Sequence, residues 1–213
     1  MFNPRVPKQV VFVYGGYERG LPSSSLKTFD IRSCKWFSLE LSGAQPRVHH
    51  ATVAFNHRLY IHGGSDGLDV LSSVIMFDLV TSHFRNRKPM SEPRCYHSAV
   101  RYRNFIVVMG GNNGKERLRS CELYDPAKKH WRPIAQMSSA RSDASAAVLN
   151  DKIYIAGGVE TFGLSSVEVY SFETQSWTVV SFMNLPRRGL TLLTSGEALY
   201  AIGGCTDVNE YSW

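Results

Sequence analysis

A Gly-Gly pair recurs five times along the chain at a nearly constant interval, and this repeat constrains the fold more than any other feature. The pairs are Gly15-Gly16, Gly63-Gly64, Gly110-Gly111, Gly157-Gly158 and Gly203-Gly204, at spacings of 48, 47, 47 and 46 residues. Each pair follows a short apolar run. A fixed period of this kind indicates a chain built from repeated supersecondary units.

Three further markers keep the same phase and divide each unit into four short strands, a to d. An aromatic residue precedes a turn, and a large aromatic and then an arginine follow it. The turn positions are Asp30, Asp78, Asp125 and Ser171; the aromatics are Trp36, Phe84, Trp131 and Trp177; the arginines are Arg47, Arg94, Arg141 and Arg187. Strand a is predicted after the arginine, b before Gly-Gly, c before the turn and d at the aromatic. An all-β unit of this length predicts a propeller blade.

These combined markers resemble the kelch repeat. The Arg141-Ser142-Asp143 segment and the Val10-Val11-Phe12 run before Gly15 are most similar to the kelch-like ubiquitin-ligase adaptors, with a spermatid-associated member as the nearest likeness. The resemblance implies a non-catalytic protein-interaction module. Those adaptors carry BTB and BACK domains ahead of a ring that usually has six blades, and neither domain is expected within these residues.

The sequence therefore predicts an all-β fold of four-stranded antiparallel kelch-type blades. The predicted single, partial propeller spans residues 1–213, with blades at about 10–41 (strands b to d), 47–88, 94–136, 141–183 and, incomplete, 188–213. This strand inventory predicts an open ring of about four to five blades, from a fragment or a short isoform.

The positions at which the repeat length varies predict where binding occurs. The step from arginine to Gly-Gly is always 16 residues and the step from the turn to the aromatic is always 6, whereas the b–c and d–a intervals vary. In an antiparallel meander, alternate connections lie at the same end of the sheet. The b–c and d–a loops should therefore share one face, and variable loops on a rigid scaffold usually carry binding.

By resemblance, kelch-like adaptors hold a short peptide degron with residues just after Gly-Gly and just after the arginine. The matching positions, which are the predicted partner-binding residues, are Tyr17, Arg19, His49, Ser65, Tyr96, Asn112, Asp143 and Glu160. The d–a loops are expected to lead into His49, Tyr96, Asp143 and Arg188. Tyrosine and arginine dominate binding hot spots, so Tyr17, Arg19 and Tyr96 are the leading candidates.

The repeated glycines, aromatics and arginines have a structural interpretation as well as a functional one. No phosphate-binding motif or helix follows the glycine pairs, so a turn with positive φ is expected there. Trp36, Trp131 and Trp177, with Phe84, are expected to pack between blades, and the arginines to bond nearby carbonyl groups. His50 and His97 share one repeat position, yet the same position holds Ala144 and Leu190, so no metal site and no cofactor are predicted.

Motifs and composition also bear on three other protein classes: enzymes, nucleic-acid-binding proteins and membrane proteins. Catalytic motifs are absent from the sequence, and no enzyme is predicted. The net charge is +6, but the basic residues between Arg85 and Arg132 lack interleaved aromatics, so no nucleic-acid partner is predicted. No membrane span is expected. Cys34, Cys95, Cys121 and Cys205 are expected to be free and mostly buried thiols, which is typical of a reducing compartment. The protein is therefore expected in the cytoplasm, with access to the nucleus.

The resemblance favours the substrate-recognition module of a cullin-RING ubiquitin-ligase adaptor, and two other interpretations stay open. One is a structural, actin-associated kelch protein, and the other, less favoured, is a propeller enzyme. For the adaptor, the expected partner is a protein substrate, and a cullin is expected only through the missing BTB domain.

Overall fold

A computed structural model describes residues 10–39 and 42–206, and every regular element in it is a β-strand. The strands are β1 (Val10–Tyr14), β2 (Tyr17–Glu18), β3 (Leu21–Pro22), β4 (Leu26–Asp30), β5 (Lys35–Leu39), β6 (Ala51–Phe55), β7 (Arg58–His62), β8 (Val74–Asp78), β9 (His83–Arg87), β10 (Ser98–Tyr102), β11 (Phe105–Met109), β12 (Cys121–Asp125), β13 (His130–Ile134), β14 (Ser145–Leu149), β15 (Lys152–Ala156), β16 (Ser166–Ser171), β17 (Ser176–Phe182), β18 (Arg188–Ser195) and β19 (Ala198–Cys205).

The strands form five successive antiparallel sheets, which we number as blades 1 to 5. Blades 2, 3 and 4 are four-stranded meanders, β6-β7-β8-β9, β10-β11-β12-β13 and β14-β15-β16-β17. Blade 1 is β1-β4-β5, with the β2-β3 hairpin in its b–c loop, and blade 5 is β18-β19. The predicted all-β fold of kelch-type blades in an open ring is confirmed, because the sheets formed by residues 10–39 and 42–206 do not close on one another. The ends of the predicted segments 10–41 and 188–213 lie outside the described residues.

The hydrophobic core lies between neighbouring blades, because successive side chains of a strand point to opposite sheet faces. On β7, Leu59 and Ile61 pack toward blade 1, whereas Tyr60 packs toward blade 3. The inner strands are covered on both faces, so they are apolar almost throughout; Ile61 and Ile106, for example, are fully buried. Each blade therefore depends on both of its neighbours for a complete core.

In blades 3 and 4, the tryptophan of strand d attaches the blade to the blade before it. The indole N–H of Trp131 donates to the carbonyl of Lys88 at 2.8 Å, and that of Trp177 donates to the carbonyl of Ala135 at 2.9 Å. Trp131 is buried, but Trp36 is 59% exposed, because no described blade lies against that side of blade 1. The expectation that Trp36 packs between blades is therefore wrong for the described part of the chain.

The repeated arginines lie inside the blades and hold strands b and c together. The guanidinium of Arg47 donates to the carbonyls of Gly63 (2.8 Å) and Ser73 (2.9 Å), and Arg94 and Arg141 repeat this pattern. These three side chains are at most 1% exposed. Arg187 donates to the carbonyl of Gly203 at 2.9 Å. Burial at this position leaves these arginines little access to a ligand.

All four cysteines are free, with Cys95 and Cys121 buried and Cys34 and Cys205 exposed. The expectation of mostly buried thiols therefore holds for only half of them. Over the described residues, no helix is long and apolar enough to cross a membrane.

Candidate functional site

The b–c and d–a loops meet on one face of the blades, which we call the loop face. Short bridges pair Val48 with Ser65, Cys95 with Asn112 and Ser142 with Val159. In each pair, the first residue follows the buried arginine and the second follows Gly-Gly. The two loop types are therefore joined by backbone hydrogen bonds, and the side chains of the following residues lie close to one another.

A backbone chain runs across the loop face from blade to blade. The amide of Tyr96 donates to the carbonyl of His49, the amide of Asp143 to that of Tyr96, and the amide of Gly189 to that of Asp143, each at 2.9 Å. The fourth member of this series is thus Gly189 and not Arg188, which corrects the sequence-based match. All four residues have positive φ, between 54° and 66°.

Positive φ is uncommon outside glycine, and it is more easily tolerated by Asp, Asn and His than by bulky residues. His49 and Asp143 suit this conformation, whereas Tyr96, with φ of 54°, is strained. Strain of this kind clusters at ligand-binding positions. In the sequence, these positive-φ positions are marked only by a change of residue type from blade to blade, two residues after the repeat arginine.

Tyr17, His49 and Tyr96 come together as an aromatic cluster at the loop face. The rings of His49 and Tyr96 are stacked with centroids 3.9 Å apart, and the Tyr96 hydroxyl lies 2.8 Å from His49 Nε2. The Tyr17 ring meets His49 edge-on at 5.5 Å, and its hydroxyl is 3.4 Å from the same nitrogen. Tyr17 is 61% and Tyr96 38% exposed, so both rings can contact a partner.

Asp143 provides the charge beside this cluster. Burial raises the pKa of its carboxyl group, and the positive groups of Arg188, His49 and Arg117 oppose that effect. Burial lowers the pKa of His49, which favours the neutral imidazole, and the charge of Asp143 opposes that effect. Burial, followed by the charge of Asp143, raises the pKa of Tyr96. The cluster therefore offers neutral aromatic surface and hydroxyl groups next to one half-buried carboxyl group.

The other predicted partner-binding residues accept hydrogen bonds from backbone amides of the loops: Ser65 and Asn112 within their own loop, and Glu160 from a d–a loop. The Ser65 hydroxyl accepts from the Gly67 amide at 3.1 Å, and the Asn112 carboxamide oxygen accepts from the Gly114 amide at 2.7 Å. The Glu160 carboxylate accepts from the Ala140 amide at 3.2 Å. Ser65 and Asn112 directly follow Gly-Gly, and the residue in that position of blade 4 is Val159. Glu160 is therefore one residue further along its loop than Ser65 and Asn112.

Arg19 occupies the tip of the β2-β3 hairpin. Arg19 and Gly20 both have positive φ, which is the requirement of a type I′ turn and matches the twist of a two-residue hairpin. Arg19 is exposed. The structure therefore groups Tyr17, His49, Tyr96 and Asp143 and places Arg19 at the end of a loop beyond them.

A groove of about 750 Å³ is lined by loop residues of blades 3 and 4. Its walls come from the b–c loops of both blades and carry Glu116, Arg119 and Glu160, with Glu92 and Ser138 from the d–a loops. Arg117 links the groove to the aromatic cluster, because its Nε donates to the Ser142 hydroxyl at 3.3 Å beside Asp143. The lining carries both charges, which suits an extended peptide better than a single anion.

Three apolar side chains that sequence reasoning left out of the site project from the b–c loops. Leu21 is 70%, Leu68 92% and Phe162 77% exposed. Exposed apolar side chains grouped on one face mark interaction sites. Each of the three loops also holds other apolar residues, such as Leu71 and Leu164, so the sequence alone does not show which apolar side chain is exposed.

His50 and His97 lie between blades beneath the loop face. Their rings pack on the Gly-Gly of the preceding blade, since a Cβ at Gly15 or Gly63 would come within 2.9 or 3.0 Å of them. Where blade 4 has Ala144 instead, the Met137 side chain reaches Gly110. Among residues 10–39 and 42–206, no group of three or more His, Cys, Asp or Glu could hold a metal ion.

The repeat, the blades and the loop face together define the family. Residues 5–204 match the KLHDC2/KLHL20/DRC7 Kelch-repeats domain. The chain belongs to this kelch-repeat family. Kelch domains generally are non-enzymatic modules that bind protein partners, so this kelch chain is a protein-interaction module.

The relatives of this kelch chain are distant. It is 36% identical over 63 residues, 29% of its length, to Alpha-scruin of Limulus polyphemus. It is 27% and 28% identical over 95 residues, 43% of its length, to two Caenorhabditis elegans proteins, Kelch repeat and BTB domain-containing protein F47D12.7 and Kelch repeat-containing protein kel-10. The matched stretches cover 7%, 16% and 16% of those proteins.

Proposed function

We propose that this kelch domain recognises a short peptide segment of a protein partner on the loop face. The observation that carries the proposal is the aromatic cluster of Tyr17, His49 and Tyr96, held in place by the backbone chain of the d–a loops. Tyrosine supplies large contact area at a low entropic cost and is enriched in binding hot spots. A preformed cluster also lowers the ordering cost of association.

Each part of the loop face has a role in this proposal. The cluster packs against an apolar or aromatic peptide side chain, and the hydroxyl groups of Tyr17 and Tyr96 bond the peptide backbone. Asp143 meets a peptide donor or cation. The groove between blades 3 and 4 holds the flanking residues, and the exposed Phe162 side chain on the b–c loop of blade 4 offers a further apolar contact. Arg19, Ser65, Asn112 and Glu160 contribute chiefly by setting the loop shapes.

We infer further that the module acts as the substrate-recognition part of a cullin-RING ubiquitin-ligase adaptor, located in the cytoplasm with access to the nucleus. The peptide would then be a degron, and the cullin would be bound through a BTB domain in the same polypeptide. A match to a protein whose name includes a BTB domain supports this interpretation. A BTB–BACK coding region upstream in the transcript would support it, and a different upstream domain would contradict it.

Peptide recognition is tested by selecting binders from a random twelve-residue phage-display library on the recombinant chain. Each selected peptide is then measured by calorimetry on Tyr96→Ala, with Glu173→Ala as control, since Glu173 is exposed on the c–d turn of blade 4 at the opposite end of the sheet. Tyr96→Ala should lower affinity by about 1–3 kcal/mol. Peptides that lose affinity with Glu173→Ala and not with Tyr96→Ala would place binding elsewhere.

A further inference from the structure

The outer edges of blades 2 and 3 carry a concentration of positive charge on strand d and the residues next to it. We call it the basic strip, and it consists of Arg85, Arg87 and Lys88 on and after β9 and Lys128, Lys129 and Arg132 on and before β13. The two halves touch, because Lys88 Nζ lies 3.3 Å from His130 Nδ1. At the repeat position of Arg85 and Arg132, blades 1 and 4 have Phe37 and Thr178. The blade architecture therefore does not require these cations.

The charge of the basic strip is not neutralised within the part of the chain that the structure describes. None of its six cations is in an ion pair with a described carboxylate. The nearby acidic side chains are engaged otherwise: Asp125 accepts from the amides of Ala127 and Lys128, and Glu122 is buried against Arg94. Six like charges gathered on one edge favour an acidic partner.

Strand β9 is also an open sheet edge, because it is the last strand of its sheet. Two observations show which backbone groups point outward. The Arg87 guanidinium donates to the carbonyl of Asn86 at 3.1 Å, and the repeat position of Asn86 in blade 3 is Pro133, which has no N–H to pair. Asn86 therefore presents its N–H and C=O to the outside, whereas proline protects the corresponding edge of β13.

A buried hydroxyl group lies close to the same edge. Tyr124 is 0% exposed, its hydroxyl has no hydrogen-bond partner among the described residues, and the positive charge of Arg87 acts on it. An acidic side chain placed beside Arg87 would bring acceptor oxygens to this crevice between blades 2 and 3. The crevice and the open edge of β9 thus favour the same kind of ligand.

We propose that β9 is a second docking site, which binds an acidic protein segment as an added β-strand. The backbone of the segment pairs with Asn86, and its alternate carboxylates meet Arg85 and Arg87, since side chains on one side of a strand recur every second residue. Lys88 and the cations of β13 attract the segment over a longer range. This site is separate from the loop face and does not depend on the function proposed for it.

The observations favour a peptide over a nucleic acid. Binding of single-stranded nucleic acid relies on exposed aromatic rings on which bases stack. The aromatic residues of the two strands point inward instead: Phe84 packs on Tyr14, and Trp131 is buried. The outward backbone groups of β9 are partners for another strand.

The proposal is tested by fluorescence anisotropy with a labelled (Glu-Thr)5 peptide. The wild-type chain should bind it, and bind (Gln-Thr)5 far more weakly. Arg85→Gln/Arg87→Gln should weaken binding about tenfold, as expected for two exposed charge contacts. Asn86→Pro, with folding checked by circular dichroism, should weaken it similarly, because the outward N–H is lost.

The matched control is Arg32→Gln/Lys35→Gln, on the c–d turn and at the start of β5 in blade 1, which removes the same charge from exposed positions. It should change the affinity less than twofold. An equal loss in the control, unchanged affinity in folded Asn86→Pro, or an absence of wild-type binding would overturn the proposal. So would tighter binding of a labelled (dT)10 oligonucleotide than of the peptide.

Discussion

The replacement His62→Met should make the chain more resistant to acid. His62 ends β7, is 0% exposed and lies between Tyr60 and Trp131. Burial, with smaller effects of the Arg47 and His50 charges, lowers the pKa of its imidazole to about 3. Met109, fully buried, occupies the same repeat position in blade 3, so methionine fits this place in a blade.

The magnitude follows from the difference between the folded and unfolded pKa values. In the unfolded chain a histidine titrates near 6.5, so below that pH the unfolded state binds a proton that the folded state excludes. The unfolding free energy is therefore not reduced by His62 above pH 6.5, and it decreases as the pH falls from 6.5 toward 3. The loss is about 1.4 kcal/mol per pH unit and reaches roughly 3 kcal/mol at pH 4.5.

The assay is urea unfolding followed by tryptophan fluorescence at pH 7 and pH 4.5. The wild type should lose more unfolding free energy between the two values than His62→Met, by about 2–3 kcal/mol. His57→Gln is the control, because His57 is exposed on the adjacent a–b turn. Equal losses in the wild type and His62→Met would refute the reasoning. His97→Leu, which introduces the residue found at the equivalent Leu190, repeats the test at a second buried histidine whose pKa burial also lowers.

Two further predictions concern the scaffold. Glu168→Gln should destabilise the chain by about 3–5 kcal/mol in urea unfolding, because it leaves the fully buried guanidinium of Arg141 without its carboxylate; a change below about 1 kcal/mol would contradict this. Gly111→Ala should lower the melting temperature far more than Gly16→Ala. Both glycines have positive φ, but a Cβ at Gly111 would lie 2.7 Å from the carbonyl of Cys95, whereas nothing lies within 4 Å at Gly16; equal shifts would contradict the steric explanation.

The sequence predicted the architecture because each repeat marker has a fixed physical task. Gly-Gly follows strand b where a Cβ would strike the next blade, the tryptophan bonds the preceding blade, and the arginine bonds two carbonyls that recur with the strands. These tasks recur from blade to blade, with Phe84 in place of the tryptophan in blade 2, so the period alone defined strand order and shared faces. The exception was Trp36, whose burial depends on a neighbour and not on its own repeat.

The site was harder to predict because position within a repeat does not say how a side chain is used. Ser65 and Asn112 occupy equivalent loop positions and look available in sequence, yet both accept hydrogen bonds from their own loops. Tyr96 looks like any exposed tyrosine, yet its positive φ and its stacking on His49 depend on the next blade. The prediction also named Arg188, whereas the step of two residues after the repeat arginine and the hydrogen bonds both give Gly189 as the last member of the series.

His49, Tyr96 and Asp143 have two separate roles, because their backbones, with that of Gly189, join the blades while their side chains face the loop surface. Their amides and carbonyls keep the blades in register whatever side chains are attached, so the side chains at these positions are free to diversify. The left-handed conformation limits that diversity to residues such as Asn, Asp, His and Gly, with an occasional aromatic accepted at the expense of stability. A combinatorial library confined to positions 49, 96 and 143 could therefore alter ligand choice while the propeller framework stays unchanged.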